Sequence, residues 1–142
     1  LTTDVIVGFP TETKKDFKDT LGVLEKVRFD SAFIFKYSPR NGTVAERQYA
    51  DDVAPGEKTE RIVHLNEVQK KISLSQNEKL LGQTLEVMVE ECILKCWRGR
   101  TDTNKVVSLS GIKAKAGELV SVKITNASAN GLSGRILTAT LS

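Results

Sequence analysis

DVIVGFPTETKKDF, residues 4–17, changes character halfway. DVIVGF is a short, nearly continuous apolar run, as expected of a strand covered on both faces. Gly8, Phe9 and Pro10 end it. Thr13 with Asp16 approximates a capping box, using the shorter acid. Phe17, Leu21, Leu24 and Val27 then fall at i, i+4, i+7 and i+10, on one face of a helix that Gly22 weakens slightly. SAFIFKYS, Ser31 to Ser38, reads as the next strand. Strand, helix and strand at this spacing form a βαβ unit with parallel strands. One such unit cannot bury its own sheet edges. The expectation is therefore a truncated α/β barrel whose other repeats lie before Leu1.

Residues 39–57, PRNGTVAERQYADDVAPGE, read as a polar loop. Pro55 suits the first position of a long helix. Ile62, Leu65, Val68 (or Gln69) and Ile72 are its apolar positions, and Glu57, Lys58, Glu60, Arg61, Glu67, Lys70 and Lys71 cover the rest. The helix runs to Leu80 or Leu81 on this reading, with Gly82 as the residue past its end, and it bridges two domains. After Gly82 the period becomes two. TLEVMVEE puts Leu85, Val87 and Val89 on one face and Thr84, Glu86, Met88 and Glu90 on the other. KVVSLSG, ELVSVKITNA and SGRILTATL repeat the alternation, punctuated by glycines at 111, 117, 131 and 134. Four or five short strands fit a small closed barrel of the oligonucleotide-binding type. The fold class expected is an α/β fragment, residues 1–73, followed by a small all-β barrel, residues 74–142.

A length of 142 residues allows one domain or two small ones. No apolar run approaches the roughly 18 residues of a membrane span, and no signal peptide is expected from the polar-then-apolar strand pattern that follows Leu1. The chain starts at Leu1 and its only methionine is Met88, so it reads as a fragment cut inside a domain. Residues 1–82 carry as many acids as bases, which leaves the whole net charge of +3 in residues 83–142. Lys95, Arg98, Arg100 and Lys105 stand there against Asp102. Such a run is by default a solvated basic loop, and it can also attract phosphate.

Two cysteines do not make a secreted disulfide framework, and the setting expected is a reducing cytoplasm. Cys92 and Cys96 would begin a C-x3-C-x2-C cluster motif, but its third position is Gly99. A zinc site lacks ligands too, so the pair reads as two ordinary thiols in a barrel loop. His64, on a polar helix, reads as a surface or partly packed side chain.

Two stretches carry binding chemistry. In RGRTDTNKVV, residues 98–107, Gly99 allows close backbone approach. Arg98, Arg100, Lys105, Thr101 and Asn104 supply donors for phosphates, sugar hydroxyls and base edges. Trp97 beside them can stack on an unpaired base. The same residues equally suit a solvated hairpin with Trp97 capping the barrel, and both readings stay open. VGFPTET serves simply to stop a strand and start a helix. In an α/β barrel, however, the C-terminal ends of strands carry the site. Gly8 would then admit a ligand closely and Phe9 would offer an apolar wall. YSPRNGT, Tyr37 to Thr43, ends the next strand in the same way, with Arg40 as a cation suited to carboxylate or phosphate.

TTDVIVGFPTETKKDF, VRFDSAFIFKYSPRNGTVAE, LNEVQKKISLSQN, LLGQTLEVMVEE and GRTDTNKVV occur in that order. Together they resemble the C-terminal part of the radical S-adenosylmethionine methylthiotransferases. The branch most similar acts on dimethylallyladenosine beside the tRNA anticodon. The resemblance covers nearly the whole chain. It implies that residues 1–73 hold the last two barrel strands and a linking helix, and residues 74–142 a TRAM domain, an RNA-binding β-barrel. GFPTET resembles the family's GFPGET-like turn, with Thr11 where glycine is frequent. YSPRNGT resembles YSxRPGT, with Asn41 for proline and Arg40 kept. The resemblance thus implies a wall of the S-adenosylmethionine site at Gly8, Phe9, Pro10, Tyr37 and Arg40. It implies an RNA surface at Trp97, Arg98, Arg100, Thr101, Asn104 and Lys105.

The whole enzyme would use S-adenosylmethionine and two 4Fe–4S clusters. Their cysteines would lie upstream, so these 142 residues are expected to bind no cofactor, hold no catalytic or metal residue and be inactive alone. The partner implied is the tRNA anticodon arm, in the cytoplasm and with no membrane. Self-association through exposed edges of the cut sheet is a further expectation. RTDTNKVV fits the tRNA branch better than the ribosomal-protein branch. The branch acting on threonylcarbamoyladenosine, and a stand-alone nucleic-acid-binding module, remain as alternatives.

Overall fold

A computed structural model describes residues 1–94, 96–111 and 114–140, the last three by backbone alone. The chain divides into two compact units, Leu1–Ser73 and Leu74–Ser142.

The first unit contains β1 (Thr2–Val7), α1 (Lys14–Val27), β2 (Ser31–Lys36), α2 (Val44–Gln48) and most of α3 (Pro55–Glu78). β1 and β2 pair in parallel, from Thr2 opposite Ser31 to Val7 opposite Lys36. The capping box forms: the Thr13 hydroxyl accepts the Asp16 N–H at 3.1 Å, and the Asp16 carboxylate accepts the Thr13 N–H at 2.8 Å. Val7, Leu24, Leu65 and Ile72 make the buried core, with Val5, Phe17, Leu21, Ile34, Ile62 and Val68 packed around it. Each such aliphatic side chain contributes about 1.5–3 kcal/mol on full burial.

Several expectations need correction here. Val27 lies at the edge of the buried face and is 44% exposed, since a step of ten residues from Phe17 leaves it about 80° off that residue's direction at 100° per residue; Arg28 then turns left-handed and closes the helix onto the Leu24 carbonyl. The sheet is covered on one face only. Val5, Val7 and Ile34 turn inward, whereas Ile6, Phe33 and Phe35 are exposed. The 39–57 loop contains α2, whose N-cap Thr43 accepts the Glu46 N–H at 3.2 Å. Lys58 and Arg61, assigned to the polar face of α3, are buried. α3 stops at Glu78 rather than Leu80 or Leu81, and turns from Leu80 to Asn77 and Leu81 to Glu78 follow it. Gly82 therefore does not cap that helix; its N–H pairs with the Ile124 carbonyl at 2.9 Å, at the start of the barrel.

The second unit is built on β3 (Thr84–Ile93), β4 (Cys96–Thr101), β5 (Val106–Ser110), β6 (Leu119–Ser128) and β7 (Gly131–Thr140). They close into a barrel in the order β3-β4-β5-β7-β6, with β5 and β7 parallel and the other pairs antiparallel. The alternation expected of TLEVMVEE holds: Val87 and Val89 join Val107, Leu109, Val120, Val122, Ile124, Leu132 and Ile136 inside. β4 corrects the reading of CWRGRT as loop. Its inward positions are Trp97, Gly99 and Thr101, which carry no aliphatic alternation. A side chain at Gly99 would strike the Met88 carbonyl oxygen and a Val87 methyl, so only glycine lets β3 and β4 approach there.

Candidate functional site

The turn after β1 is held from beneath by α3. Gly8 has φ +69°, and the Lys58 stem lies where its Cβ would be. The Lys58 ammonium reaches Asp51 at 2.5 Å and the Tyr37 carbonyl at 3.3 Å, and stands 5.3 Å from the Tyr37 ring centre. Arg61 donates to the Glu12 carbonyl at 3.1 Å, to the Glu12 carboxylate, and to Glu57 at 2.5 Å. The other Glu12 oxygen accepts the Gly8 N–H at 3.1 Å. Burial alone would favour neutral Arg61. Its hydrogen bonds and ion pairs to Glu12 and Glu57 outweigh that and hold its pKa above the ordinary arginine value.

These contacts sort the five residues of the first site. Gly8 and Pro10 are buried and shape the turn. Phe9 stays 40% exposed, edge-on to Tyr37 with ring centres 5.1 Å apart. Tyr37 and exposed Arg40 line an open hollow of ≈ 540 Å³ with Ile6, Phe35, Ser38 and Thr43. Its floor is apolar, with hydroxyls and a guanidinium at its edge, and Gly8, Phe9 and Pro10 do not line it. Glu12, Lys58 and Arg61 were missed. For Lys58 and Arg61 the signal existed, because they lie on the same helical stripe as Leu65 and Ile72; for Glu12, in the turn before α1, there was none.

The second site centres on the β4–β5 hairpin. Arg100 donates to Glu90 at 3.2 Å and to the Asn104 side chain at 3.1 Å. Asn104 is left-handed, at φ 65°. Thr101 is buried, and its hydroxyl sits 3.0 Å from that of Thr103 while accepting the Lys105 N–H at 3.1 Å. The Lys105 ammonium reaches Asn77 at 2.9 Å. Trp97 packs on the barrel core. Arg100, Thr101, Asn104 and Lys105 therefore hold the hairpin together, while Arg98 projects outward, exposed. A groove of ≈ 550 Å³ beside Arg100 is lined by Glu86, Glu90 and Asp102 as well as that arginine, and Arg98 does not border it. Lys95 of the basic run lies outside the described residues.

His64 is exposed, with its ring 5.9 Å from that of Phe17. Cys92 and Cys96 are exposed free thiols, at the end of β3 and the start of β4 rather than in a loop. Among the described residues no three His, Cys, Asp or Glu side chains come together to hold a metal. None of the described helices is long and apolar enough to cross a membrane.

Residues 78–137 match the family model of the TRAM domain. The tRNA-2-methylthio-N(6)-dimethylallyladenosine synthase of Acetivibrio thermocellus is 46% identical over 141 residues, which are 96% of this chain and 29% of that protein. The protein of the same name from Aquifex aeolicus is 47% identical over 140 residues, 96% of this chain and 31% of its own length. That of Bacillus cytotoxicus is 43% identical over 140 residues, again 96% of this chain and 27% of the relative. The chain spans about 30% of the length of the curated relatives it matches.

Proposed function

We propose that this chain, whose residues 78–137 match the TRAM domain, belongs with the methylthiotransferases it resembles and is the C-terminal part of an enzyme that adds a 2-methylthio group to dimethylallyladenosine in tRNA. The match along both units carries this reading, since a TRAM domain alone points only to RNA. Residues 1–73 supply the closing strands of the radical-enzyme barrel. Phe9, Tyr37 and Arg40, on a turn shaped by Gly8 and Pro10, form one wall for S-adenosylmethionine: an apolar surface for the ring and a cation for the carboxylate. When bound, that cofactor supplies the radical and the methyl group, with two 4Fe–4S clusters held by the rest of the enzyme. The 142 residues alone are inactive on this reading. The barrel grips the anticodon arm in the cytoplasm; of the hairpin residues Trp97, Arg98, Arg100, Thr101, Asn104 and Lys105, Arg98 is the one that faces outward for that role, while Arg100, Thr101, Asn104 and Lys105 shape the hairpin.

Mass spectrometry of tRNA nucleosides from a strain lacking the gene tests the reaction. The expected result is loss of the 2-methylthio group from dimethylallyladenosine. Loss from threonylcarbamoyladenosine instead, or from a ribosomal protein with tRNA intact, would overturn the substrate. The chain itself should bind an RNA stem-loop with salt-sensitive affinity.

A further inference from the structure

We infer that the RNA backbone crosses the outer face of β5, β7 and β6, anchored by Lys123 and Arg135, rather than the groove beside Arg100. This rests on the reading of the barrel as an RNA-binding module and gives that module its face.

Lys123 and Arg135 stand directly opposite each other on the antiparallel β6–β7 pair, and both are exposed. Like charges so placed destabilise a sheet. Neither has an ion-pair partner among the described residues. Around the barrel the same row continues through Ser110, opposite Arg135, and Thr84, opposite Lys123. The neighbouring row runs from Arg98 to Ser108 and on to Ser133. Neighbouring strands are about 4.8 Å apart, so these cations and hydroxyls form one continuous track.

β5, β6 and β7 contain no Asp or Glu. The nearest strand carboxylates border the track from β3. Glu86 is opposite Ser121, diagonal to Lys123, and Glu91 is opposite Arg98. The groove beside Arg100 has the reverse character. Glu86, Glu90 and Asp102 line it, and Glu90 already takes the guanidinium. A phosphate there would meet three carboxylates. Between Lys123 and Arg135 it would instead relieve a repulsion.

The test measures binding of an RNA stem-loop to this chain across a salt series. Lys123→Gln with Arg135→Gln should weaken binding about tenfold at low salt. It should also flatten the slope of log affinity against log salt by about 1.4, near 0.7 for each single-strand phosphate that the protein no longer neutralises. Arg100→Gln should change affinity less than about twofold. The double variant should melt no lower than the parent, because a like-charge pair has been removed. If Arg100→Gln weakens binding while the double variant leaves affinity and slope unchanged, the face assigned here is wrong and the RNA-binding reading stands. If the unaltered chain binds no RNA, or binds only anionic phospholipid vesicles, the RNA-binding reading fails and the face with it.

Discussion

Thr11 has a left-handed backbone, φ 73°, a conformation that costs a residue with a Cβ about 1–2 kcal/mol. Two hydrogen bonds keep it there. Its own N–H donates to Asp52 at 2.7 Å, and the Glu12 N–H donates to the Phe9 carbonyl at 2.9 Å across the turn. Both come from backbone donors, so Thr11→Gly retains them and relieves the strain. After the extra freedom glycine has when unfolded, the expected gain is about 0.5–1 kcal/mol. It would appear as a higher urea midpoint with an unchanged slope; a lower midpoint would mean that the threonine side chain itself stabilises the turn. At Gly8 the sign reverses. Alanine there meets the Lys58 stem in addition to φ +69°, and should cost about 2 kcal/mol or more. The need for glycine at that position was legible. Its reason was not, because nothing near residue 8 announces that a lysine fifty residues later fills the space.

At the scale of elements, α3 shows where periodicity works and where residue type misleads. Leu65 and Ile72 are buried as their spacing requires. Arg61 shares their stripe, yet its charge suggests solvent. It is buried because Glu12 and Glu57 supply acceptors in place of water. Arg61→Met keeps much of the packed stem but leaves Glu12, whose side chain is 11% exposed, facing no cation. The expected loss is about 3–5 kcal/mol in urea unfolding. Glu57→Gln, at a site with 36% side-chain exposure, should cost less than about 1 kcal/mol. Equal losses from the two variants would show that the network does not centre on Arg61. β4 was illegible for a related reason. Its inward glycine is required by the approach of β3, and Gly99→Ala should cost about 1–3 kcal/mol by forcing β3 and β4 apart. A thermal midpoint equal to the parent's would contradict that requirement.

Over the whole chain, the change of period after Gly82 is what made two kinds of architecture readable, and the TRAM match covers residues 78–137. Charge placement was less readable, since strand register decides whether Arg100 meets Glu90 and whether Lys123 meets Arg135. Carboxylates are also used unevenly. In the first unit Asp16 closes the capping box, and Glu12, Asp51, Asp52 and Glu57 accept hydrogen bonds that hold the turns and α3. The barrel has an aliphatic core, with the Glu90–Arg100 pair outside it and Glu118 accepting the Lys115 N–H at 2.9 Å in an exposed turn. Hydrogen bonds from the Thr13 side chain and backbone hold the Asp16 pKa below the ordinary 3.8. Its folded state favours the charged carboxylate. That contribution is complete above 3.8 and disappears as pH falls through the lower folded value. Protonation of Asp16 should therefore loosen the start of α1 and lower the stability of the first unit as pH falls below 3.8. Two probes separate the two units. The helices all lie within residues 14–78, so helical circular dichroism follows the first unit apart from the last turn of α3. Trp97 is the only tryptophan and packs on the barrel core, so its emission follows the second. Below about pH 4, the urea midpoint read by helical signal should fall in the parent but not in Asp16→Asn, while the midpoint read by Trp97 emission changes less; an equal fall in parent and variant would show that the Asp16 cap does not carry the pH dependence.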